Sequence, residues 1–197
     1  MDINPRLYSL VIDSMLKKMR ERVFLHIPAH SKVIDIACGT GAQVFYLAEK
    51  CDQITGIDIW EPMINFAEKK RQKLNISNLT FKVADATDLS QFKDKEFDFS
   101  IMSLALHQFL PGDRIHILKE AVRISKKIII ADYAYPQPAN IYGLGIRFAE
   151  RMAGKEHFAN FNSYLSAGGL AGISGEIGLN PIHIEAFGKG TFVLVIL

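Results

Sequence analysis

The sequence predicts a single α/β domain in which helices cover both faces of a doubly wound, seven-stranded sheet that is mostly parallel. Three observations favour this fold: short β-branched runs alternate with helical patterns, the strand patterns are apolar throughout, and the chain ends in two closely connected strands. With 197 residues and 49% hydrophobic side chains, the chain can bury one full core. We therefore expect one domain over residues 1–197.

Each element has its own local signal. Apolar side chains recur at helical spacing between basic residues near the start of the chain, which predicts an amphipathic leading helix over residues 3–28. Alternating patterns follow in the order expected for parallel strands with crossover helices. Strands are predicted at 33–37, 54–58, 79–84, 97–103 and 127–132, and helices over 42–50, from Pro62 onwards, and over 113–124.

The last two strand patterns, 182–187 and 191–197, are separated only by Gly188, Lys189 and Gly190. A connection this short forces an antiparallel hairpin, so we expect the last strand to run against the others. Between the fifth strand and the final helix lies the least regular stretch, residues 133–164, which we interpret as a lid-like connection.

Composition excludes several classes of protein. A net charge of +2 argues against a dedicated nucleic-acid surface. The two cysteines, Cys38 and Cys51, form no CxxC or Cys/His cluster, which favours a reduced, cytoplasmic protein and predicts no metal site. The start of the chain does not resemble a signal peptide, and no apolar run is long enough to cross a bilayer, so no membrane insertion is expected. The sequence leaves open whether the chain forms a homodimer.

Acidic residues end three successive strand patterns beside one glycine-rich turn. Asp35 precedes Gly39 and Gly41 after the first strand, Asp58 ends the second strand, and Asp85 ends the third. Ligands of open α/β sheets bind at the carboxyl ends of strands, and glycines there let a ligand approach the backbone. An acid in the position of Asp58 can accept both hydroxyls of a ribose, and one in the position of Asp85 can accept from an exocyclic amine such as that of adenine.

A dinucleotide-binding turn is the rival interpretation of the same glycines. The fingerprint GxGxxG requires a glycine or alanine at position 44, where this chain has Val44. A nicotinamide-dependent reductase is therefore the less favoured alternative.

With these residues in place, the sequence resembles the class I S-adenosylmethionine-dependent methyltransferases. Asp35-Ile-Ala-Cys-Gly-Thr-Gly41 matches their acidic glycine turn, and Asp58 and Asp85 match the acids that follow their second and third strands. Ala37 replaces the commoner first glycine, a variant similar to that of ubiquinone/menaquinone-biosynthesis-type enzymes. The resemblance implies a Rossmann-like sheet, S-adenosyl-L-methionine as cofactor and S-adenosyl-L-homocysteine as its product.

The resemblance also implies roles for individual residues. Asp35 and the backbone of Ala37–Gly41 would hold the methionine half of the cofactor, Asp58 the ribose and Asp85 the adenine amine. Tyr8 in the leading helix would close over the site. The remaining expected contacts are Ala37, Cys38, Gly39, Thr40, Gly41, Ile59, Trp60, Met63, Ala86, Ser103 and Leu104.

The acceptor is narrowed by motifs that the sequence lacks. Residues 103–106 do not match the Asn/Asp-Pro-Pro-Tyr/Phe turn of nucleobase amino-methyltransferases, and neither a Pro-Cys nucleophile nor the paired glutamates of arginine methyltransferases occur. Asp132, without acidic partners, is interpreted as a strand-end acid rather than a metal ligand. We therefore expect a small-molecule acceptor, apolar or aromatic in character.

Two groups of side chains are candidates for contacting that acceptor. His107, just beyond the fourth strand, is the candidate general base, which in-line displacement requires only if the acceptor must lose a proton. Aromatic residues of the lid-like connection either cover the acceptor or simply pack inside the protein. The candidates are Tyr133, Tyr135, His157, Phe161 and Tyr164. Because residues 123–127 lack the family's usual Pro-Gly turn, an inactive, methyltransferase-like binding protein is a further alternative.

Overall fold

The computed structural model describes residues 16–197 and confirms the predicted α/β fold. The strands are β1 (Lys32–Ile36), β2 (Gln53–Asp58), β3 (Leu79–Val83), β4 (Phe97–Ser103), β5 (Ser125–Tyr133), β6 (His183–Phe187) and β7 (Phe192–Ile196). The helices are α1 (Lys17–His26), α2 (Ala42–Leu47), α3 (Glu61–Lys73), α4 (Pro111–Ile124), α5 (Ile141–Met152), α6 (Lys155–Ser166) and α7 (Gly169–Glu176), with a 3-10 helix at Leu106–Gln108. The leading helix predicted over 3–28 is described from Lys17 onwards.

The seven strands form one sheet in the order β3-β2-β1-β4-β5-β7-β6. β1 pairs in parallel with β2 and β4, and β2 pairs in parallel with β3. β7 runs antiparallel to both β5 and β6, which confirms the reversed last strand. The turn before β7 places Gly188, Lys189 and Gly190 at φ values of 60°, 58° and 83°, a left-handed backbone that suits a tight connection.

Burial explains why the central strands are apolar along their whole length. Ile34 and Ile36 of β1 and Ile54 and Ile57 of β2 have no exposed surface. Strands of a parallel sheet are covered on both faces, so alternation between apolar and polar residues is lost. Among residues 16–197, none of the helices combines the length and apolar character needed to cross a membrane.

Helix α2 is shorter than predicted, because it ends at Leu47 and not at Lys50. The Lys50 amide donates to the Leu47 carbonyl at 2.9 Å, three residues back, which tightens the last turn. The side chain of Asn78 donates to the carbonyls of Ala48 and Cys51 at 2.7 and 2.9 Å. A side chain from a distant part of the sequence thus satisfies two carbonyls that follow the end of α2.

The expectation of an irregular stretch over residues 133–164 is wrong, since most of it forms helices α5 and α6. The Asn140 side chain caps α5 by accepting from the amides of Tyr142 and Gly143 at 2.9 and 3.2 Å. Gly154, at φ 130°, precedes α6 and separates the two helices. The Asn140 cap and Gly154 are local signals for the ends of helices, but the interpretation of this stretch from sequence relied on its aromatic residues.

Residues 123–127, which lack the family's Pro-Gly turn, have a structural explanation. α4 ends at Ile124 and β5 begins at Ser125, so no turn residues intervene. The buried Ser125 hydroxyl lies 2.9 Å from that of Ser100 and donates to the Ala121 carbonyl at 2.6 Å. This departure therefore concerns how a helix joins a strand and gives no support to loss of activity.

The described residues group into two compact units. The first, called the N-terminal unit, comprises the described residues up to Ile101 together with Glu120–Ile128. The second, called the C-terminal unit, comprises Met102–Lys119 and Ile129–Leu197. The glycine turn and the three strand-end acids belong to the N-terminal unit, whereas His107 and the lid-like connection belong to the C-terminal unit. That the whole chain forms one domain stays a prediction.

Candidate functional site

The turn between β1 and α2 has an unusual backbone. Ala37, Gly39 and Gly41 adopt φ values of 59°, 54° and 74°, in the left-handed region that favours glycine. A Cβ atom on Gly41 would lie 2.6 Å from Cε1 of Phe81, whereas one on Gly39 would meet nothing within 4 Å. The turn is therefore tightly packed at Gly41 and open at Gly39, where a ligand can approach the backbone.

Asp58, at the end of β2, holds this turn in place. Its Oδ2 accepts from the Gly39 amide at 2.8 Å, and its Oδ1 accepts from the Trp60 amide at 2.9 Å. Each carboxylate oxygen can accept a further hydrogen bond, because an ionised carboxylate offers about four acceptor sites. Asp58 thus connects two neighbouring strand ends and still has capacity to accept from a ligand.

Asp35 is a buried carboxyl group next to the turn. Its side chain is 2% exposed, and burial, together with the negative charge of Asp58, raises the pKa of Asp35 well above its usual value. A buried carboxyl of this kind is stabilised in its ionised form by a cation placed beside it. Burial and the two aspartates also raise the pKa of the neighbouring Cys38 thiol, which therefore stays protonated near neutral pH.

Gln43 is a further polar side chain near the turn. It lies in the first turn of α2, is 4% exposed, and neither its amide nitrogen nor its amide oxygen has a hydrogen-bond partner. A buried amide without partners is costly, and a ligand or a water molecule that completes its hydrogen bonds would remove that cost. Sequence reasoning missed Gln43, because a glutamine in a helix ordinarily faces solvent.

The remaining predicted cofactor contacts of the N-terminal unit differ in exposure. Asp85 is exposed, and its Oδ1 accepts from both the amide and the hydroxyl of Thr87 at 2.8 Å, which forms an Asx turn. Tyr8 lies outside the described residues. Thr40, Met63 and Ala86 are buried, Cys38 and Trp60 are half-buried, and Ile59 is exposed.

In the C-terminal unit, two predicted cofactor contacts, Ser103 and Leu104, lie at the end of β4, and the backbone of Leu104 is strained. Leu104 has φ 51°, and its amide donates to the Ala131 carbonyl at 2.8 Å. The Ser103 hydroxyl is buried without a hydrogen-bond partner. Strained backbone and unsatisfied polar atoms are both enriched at functional sites, which supports the assignment of this strand end.

His107 follows directly in the 3-10 helix and is held by Asp132 at the end of β5. The ring Nδ1 lies 2.6 Å from Oδ1 of Asp132, and the His107 amide donates to Oδ2 at 3.1 Å. His107 is 2% exposed and Asp132 fully buried, so neither side chain reaches solvent. Asp132, interpreted from sequence as a strand-end acid, therefore fixes both the backbone and the ring of His107.

Glu150 of α5 lies beside His107. Its Oε1 accepts from the Tyr133 hydroxyl at 2.6 Å, and its Oε2 lies 2.6 Å from Nε2 of His157 and 3.7 Å from Nε2 of His107. Burial alone would raise the pKa of Glu150, but the hydrogen bond from His157 and the neighbouring imidazoles lower it below its usual value. Glu150 could not be identified from sequence, because nothing in its local pattern distinguishes it from a surface acid on a helix.

The predicted lid aromatics are mostly interior. Tyr133, Phe161 and Tyr164 are buried, and the Tyr164 hydroxyl donates to the Tyr133 carbonyl at 2.8 Å. The rings of Tyr133 and Phe161 pack edge to face at 5.3 Å, and Tyr135 is exposed. Of the two interpretations offered from sequence, packing inside the protein accounts for the three buried rings, and contact with an acceptor stays a prediction.

Arg114 of α4 supports the same region from within. It is 1% exposed and donates to the carbonyl of Asn160 at 2.6 Å and to that of Leu106 at 3.2 Å. A buried guanidinium bonded to two backbone segments holds the 3-10 helix against α6. His107 and its neighbours are therefore fixed in a rigid environment.

Known methyltransferases are similar to this chain in sequence. A family model described as a methyltransferase domain matches residues 33–127, which include the glycine turn and the three strand-end acids. A curated relative, the demethylmenaquinone methyltransferase of Bacillus licheniformis, is 26% identical over 159 residues, which cover 75% of this chain and 66% of that protein. The chain spans less than two thirds of the length of the curated relatives it matches.

Two solved structures are similar over nearly the whole chain. A protein of Pyrococcus horikoshii is 22% identical with a TM-score of 0.71, covering 93% of this chain and 88% of that one. A SAM-dependent methyltransferase of Aquifex aeolicus is 19% identical with a TM-score of 0.65, covering 93% and 96%. At these identities the structures establish a shared fold.

Proposed function

We propose that this chain, which belongs to the class I S-adenosylmethionine-dependent methyltransferases, transfers a methyl group from S-adenosyl-L-methionine to a small-molecule acceptor. The predicted family and cofactor are confirmed by the matched methyltransferase domain and the named methyltransferase relatives. The proposal concerns the acceptor, which we infer to be a small molecule. One relative is named for demethylmenaquinone as its acceptor, which supports a small molecule here.

The residues of the N-terminal unit fit the cofactor, and two separately buried side chains, Asp35 and Gln43, carry this conclusion. A carboxyl whose pKa is raised by burial suits a cationic ammonium group, and an amide with both atoms unpaired suits a polar ligand. The space beside Gly39 leaves room for that ligand at the backbone. When bound, the cofactor supplies a methyl group on a sulfonium, which is already an activated leaving group.

Each residue of this unit then has a defined task. We assign Asp35 to the ammonium group of the cofactor, Asp58 to the ribose hydroxyls and Gln43 to a polar group of the methionine half. Asp58 accepts from the ribose while it keeps the Gly39 and Trp60 amides, because its oxygens have acceptor sites left. Asp85 is the weakest assignment, since its exposed carboxylate already closes an Asx turn.

On the acceptor side, the chain's residues position the acceptor and exclude water. We propose that the buried Ser103 hydroxyl, which lies at the end of β4 and has no hydrogen-bond partner, orients a polar group of the acceptor, with Leu104 beside it. His107 as a general base is a weaker proposal, because its Nδ1 contacts Asp132 and its Nε2 points toward Glu150. Replacing His107 by alanine and measuring turnover at saturating cofactor tests that role.

Calorimetry with S-adenosylhomocysteine, followed by assays for its release from S-adenosylmethionine with a panel of small aromatic and apolar acceptors, tests the proposed function. We expect binding to the wild-type protein, weakened binding to D35N and Q43L, and acceptor-dependent release. D52N, which changes an exposed aspartate paired with His30, is the matched control and should bind as the wild type does. Binding without turnover on any acceptor would favour the inactive binding protein, and binding of NADH instead would overturn the assignment.

A further inference from the structure

Three potential metal ligands meet inside the C-terminal unit although they are far apart in sequence. His107 lies in the 3-10 helix, Glu150 in α5 and His157 in α6, and one ligand atom from each lies within 4.8 Å of the others. His107 and Glu150 are buried and His157 is partly buried. The cluster belongs to the C-terminal unit, whereas the glycine turn and the strand-end acids belong to the N-terminal unit.

A second layer of hydrogen bonds orients two of these ligands. Nδ1 of His107 lies 2.6 Å from Oδ1 of Asp132, so when Nδ1 donates to that carboxylate, Nε2 is the ring nitrogen left to bind a metal ion. The Tyr133 hydroxyl donates to Oε1 of Glu150, which leaves Oε2 toward the two imidazoles. A histidine that donates its other ring N–H to a carboxylate, beside a ligating carboxylate that is itself hydrogen-bonded, is the usual surrounding of a protein metal site.

The distances are close to those that a metal ion would impose. Two nitrogen or oxygen ligands of a tetrahedral zinc ion lie about 3.3 Å apart, given bond lengths of about 2.0–2.2 Å. Oε2 of Glu150 lies 2.6 Å from His157 and 3.7 Å from His107, and all three ligand atoms lie within 4.8 Å of one another, so no separation has to change by more than about 1.5 Å. The 3.7 Å separation exceeds a hydrogen bond, so the direct contact between His107 and Glu150 is incomplete.

We propose that His107, Glu150 and His157 bind a divalent transition-metal ion, with Zn²⁺ as the ion that two imidazoles and one carboxylate favour. Three protein ligands leave one coordination position for water or a small anion. Because the ligands come from three segments, the ion links α5, α6 and the segment after β4. Zinc binding can be measured without methyl transfer. The proposed site goes beyond the expectation, made from cysteine spacing, that the chain offers no metal site.

The test uses the whole chain of 197 residues after removal of metal with a chelator. Titration with zinc sulfate is followed by calorimetry, and the bound zinc is counted by elemental analysis after desalting. We expect one zinc ion per chain and a thermal midpoint that rises with zinc concentration, since a ligand that binds only the folded state stabilises it. Substitution of Co²⁺ should give the visible absorption of a tetrahedral nitrogen- and oxygen-ligated ion.

Variants locate the ion. H157Q changes the least buried ligand and should weaken zinc binding by more than about 100-fold, which exceeds the usual effect of losing an outer-shell partner. E150Q should do the same, and if it fails to fold, H157Q alone decides. H116Q, which changes an exposed histidine of α4, is the matched control and should retain wild-type affinity. Equal zinc affinity in H157Q and wild type, or no zinc bound by the wild type, would overturn the proposal and leave an ordinary ion pair between His157 and Glu150.

Discussion

Replacing Asp58 by alanine should weaken cofactor binding strongly while leaving the protein folded. Hydrogen bonds that involve a charged group contribute about 1.5–3 kcal/mol each, and Asp58 is proposed to accept from two ribose hydroxyls. Their loss amounts to about 3 kcal/mol or more, which corresponds to a decrease in affinity of more than about 100-fold.

The same substitution removes two contacts within the protein, which must be measured separately. The Gly39 and Trp60 amides lose their acceptor in D58A, at about 1 kcal/mol each in the free energy of unfolding. D58N keeps one side-chain oxygen and removes the charge, so it should unfold closer to wild type and still bind more weakly. Comparison of the two variants separates loss of the ligand contact from loosening of the glycine turn.

Calorimetric titration with S-adenosylhomocysteine measures the affinity, and urea unfolding measures the stability of the same samples. D52A is the control, because Asp52 is an exposed acid whose hydrogen bond to His30 lies outside the proposed site. If folded D58A binds S-adenosylhomocysteine as tightly as the wild type, Asp58 does not contact the ligand and the assigned site is wrong.

Three further predictions test local features. Ala37→Gly should raise the free energy of unfolding by about 1 kcal/mol, because residue 37 has φ 59°, which glycine adopts without strain. Ala149→Gly inside α5 is the control and should lower the free energy of unfolding by a similar amount. A loss of stability in Ala37→Gly would show that the backbone at residue 37 is not strained. Burial and the charge of Asp58 raise the pKa of Asp35 in the folded protein. The ligand-free protein should therefore lose stability as pH rises from the ordinary carboxyl pKa to the raised pKa, because the unfolded chain gives up the proton first. A cationic ligand that binds beside Asp35 should release this proton. Calorimetry in buffers of different ionisation enthalpy should show that release, and identical heats would contradict it. Burial raises the pKa of Cys51 to about 11, so its thiol should resist iodoacetamide at neutral pH until urea unfolds the protein; rapid native labelling would contradict this.

The sequence predicts the strand ends of the N-terminal unit well, because their chemistry is local. Asp35, Gly39 and Gly41 follow one strand pattern directly, and Asp58 ends the next, so parallel pairing of β1 and β2 brings them together. The apolar strands are equally predictable, since burial on both faces leaves a run that is visible without any knowledge of partners.

Features that depend on contacts between distant residues could not be predicted. The burial of Gln43 follows from packing around α2, and the carbonyls just after that helix accept from Asn78, which is distant in sequence. The cluster of His107, Glu150 and His157 has no spacing that marks a metal motif, because its members lie on three separate elements. The cytoplasmic location, the absence of nucleic-acid binding and the oligomeric state stay predictions.

The most direct test of the central claim is a crystal structure of the chain with bound S-adenosylhomocysteine. We predict that the ligand lies along the ends of β1 and β2, with its ribose hydroxyls on Asp58, its ammonium group beside Asp35 and a polar atom within hydrogen-bond distance of Gln43. Density for the ligand elsewhere, or a turn at Ala37–Gly41 that stays empty at saturating concentration, would contradict the account.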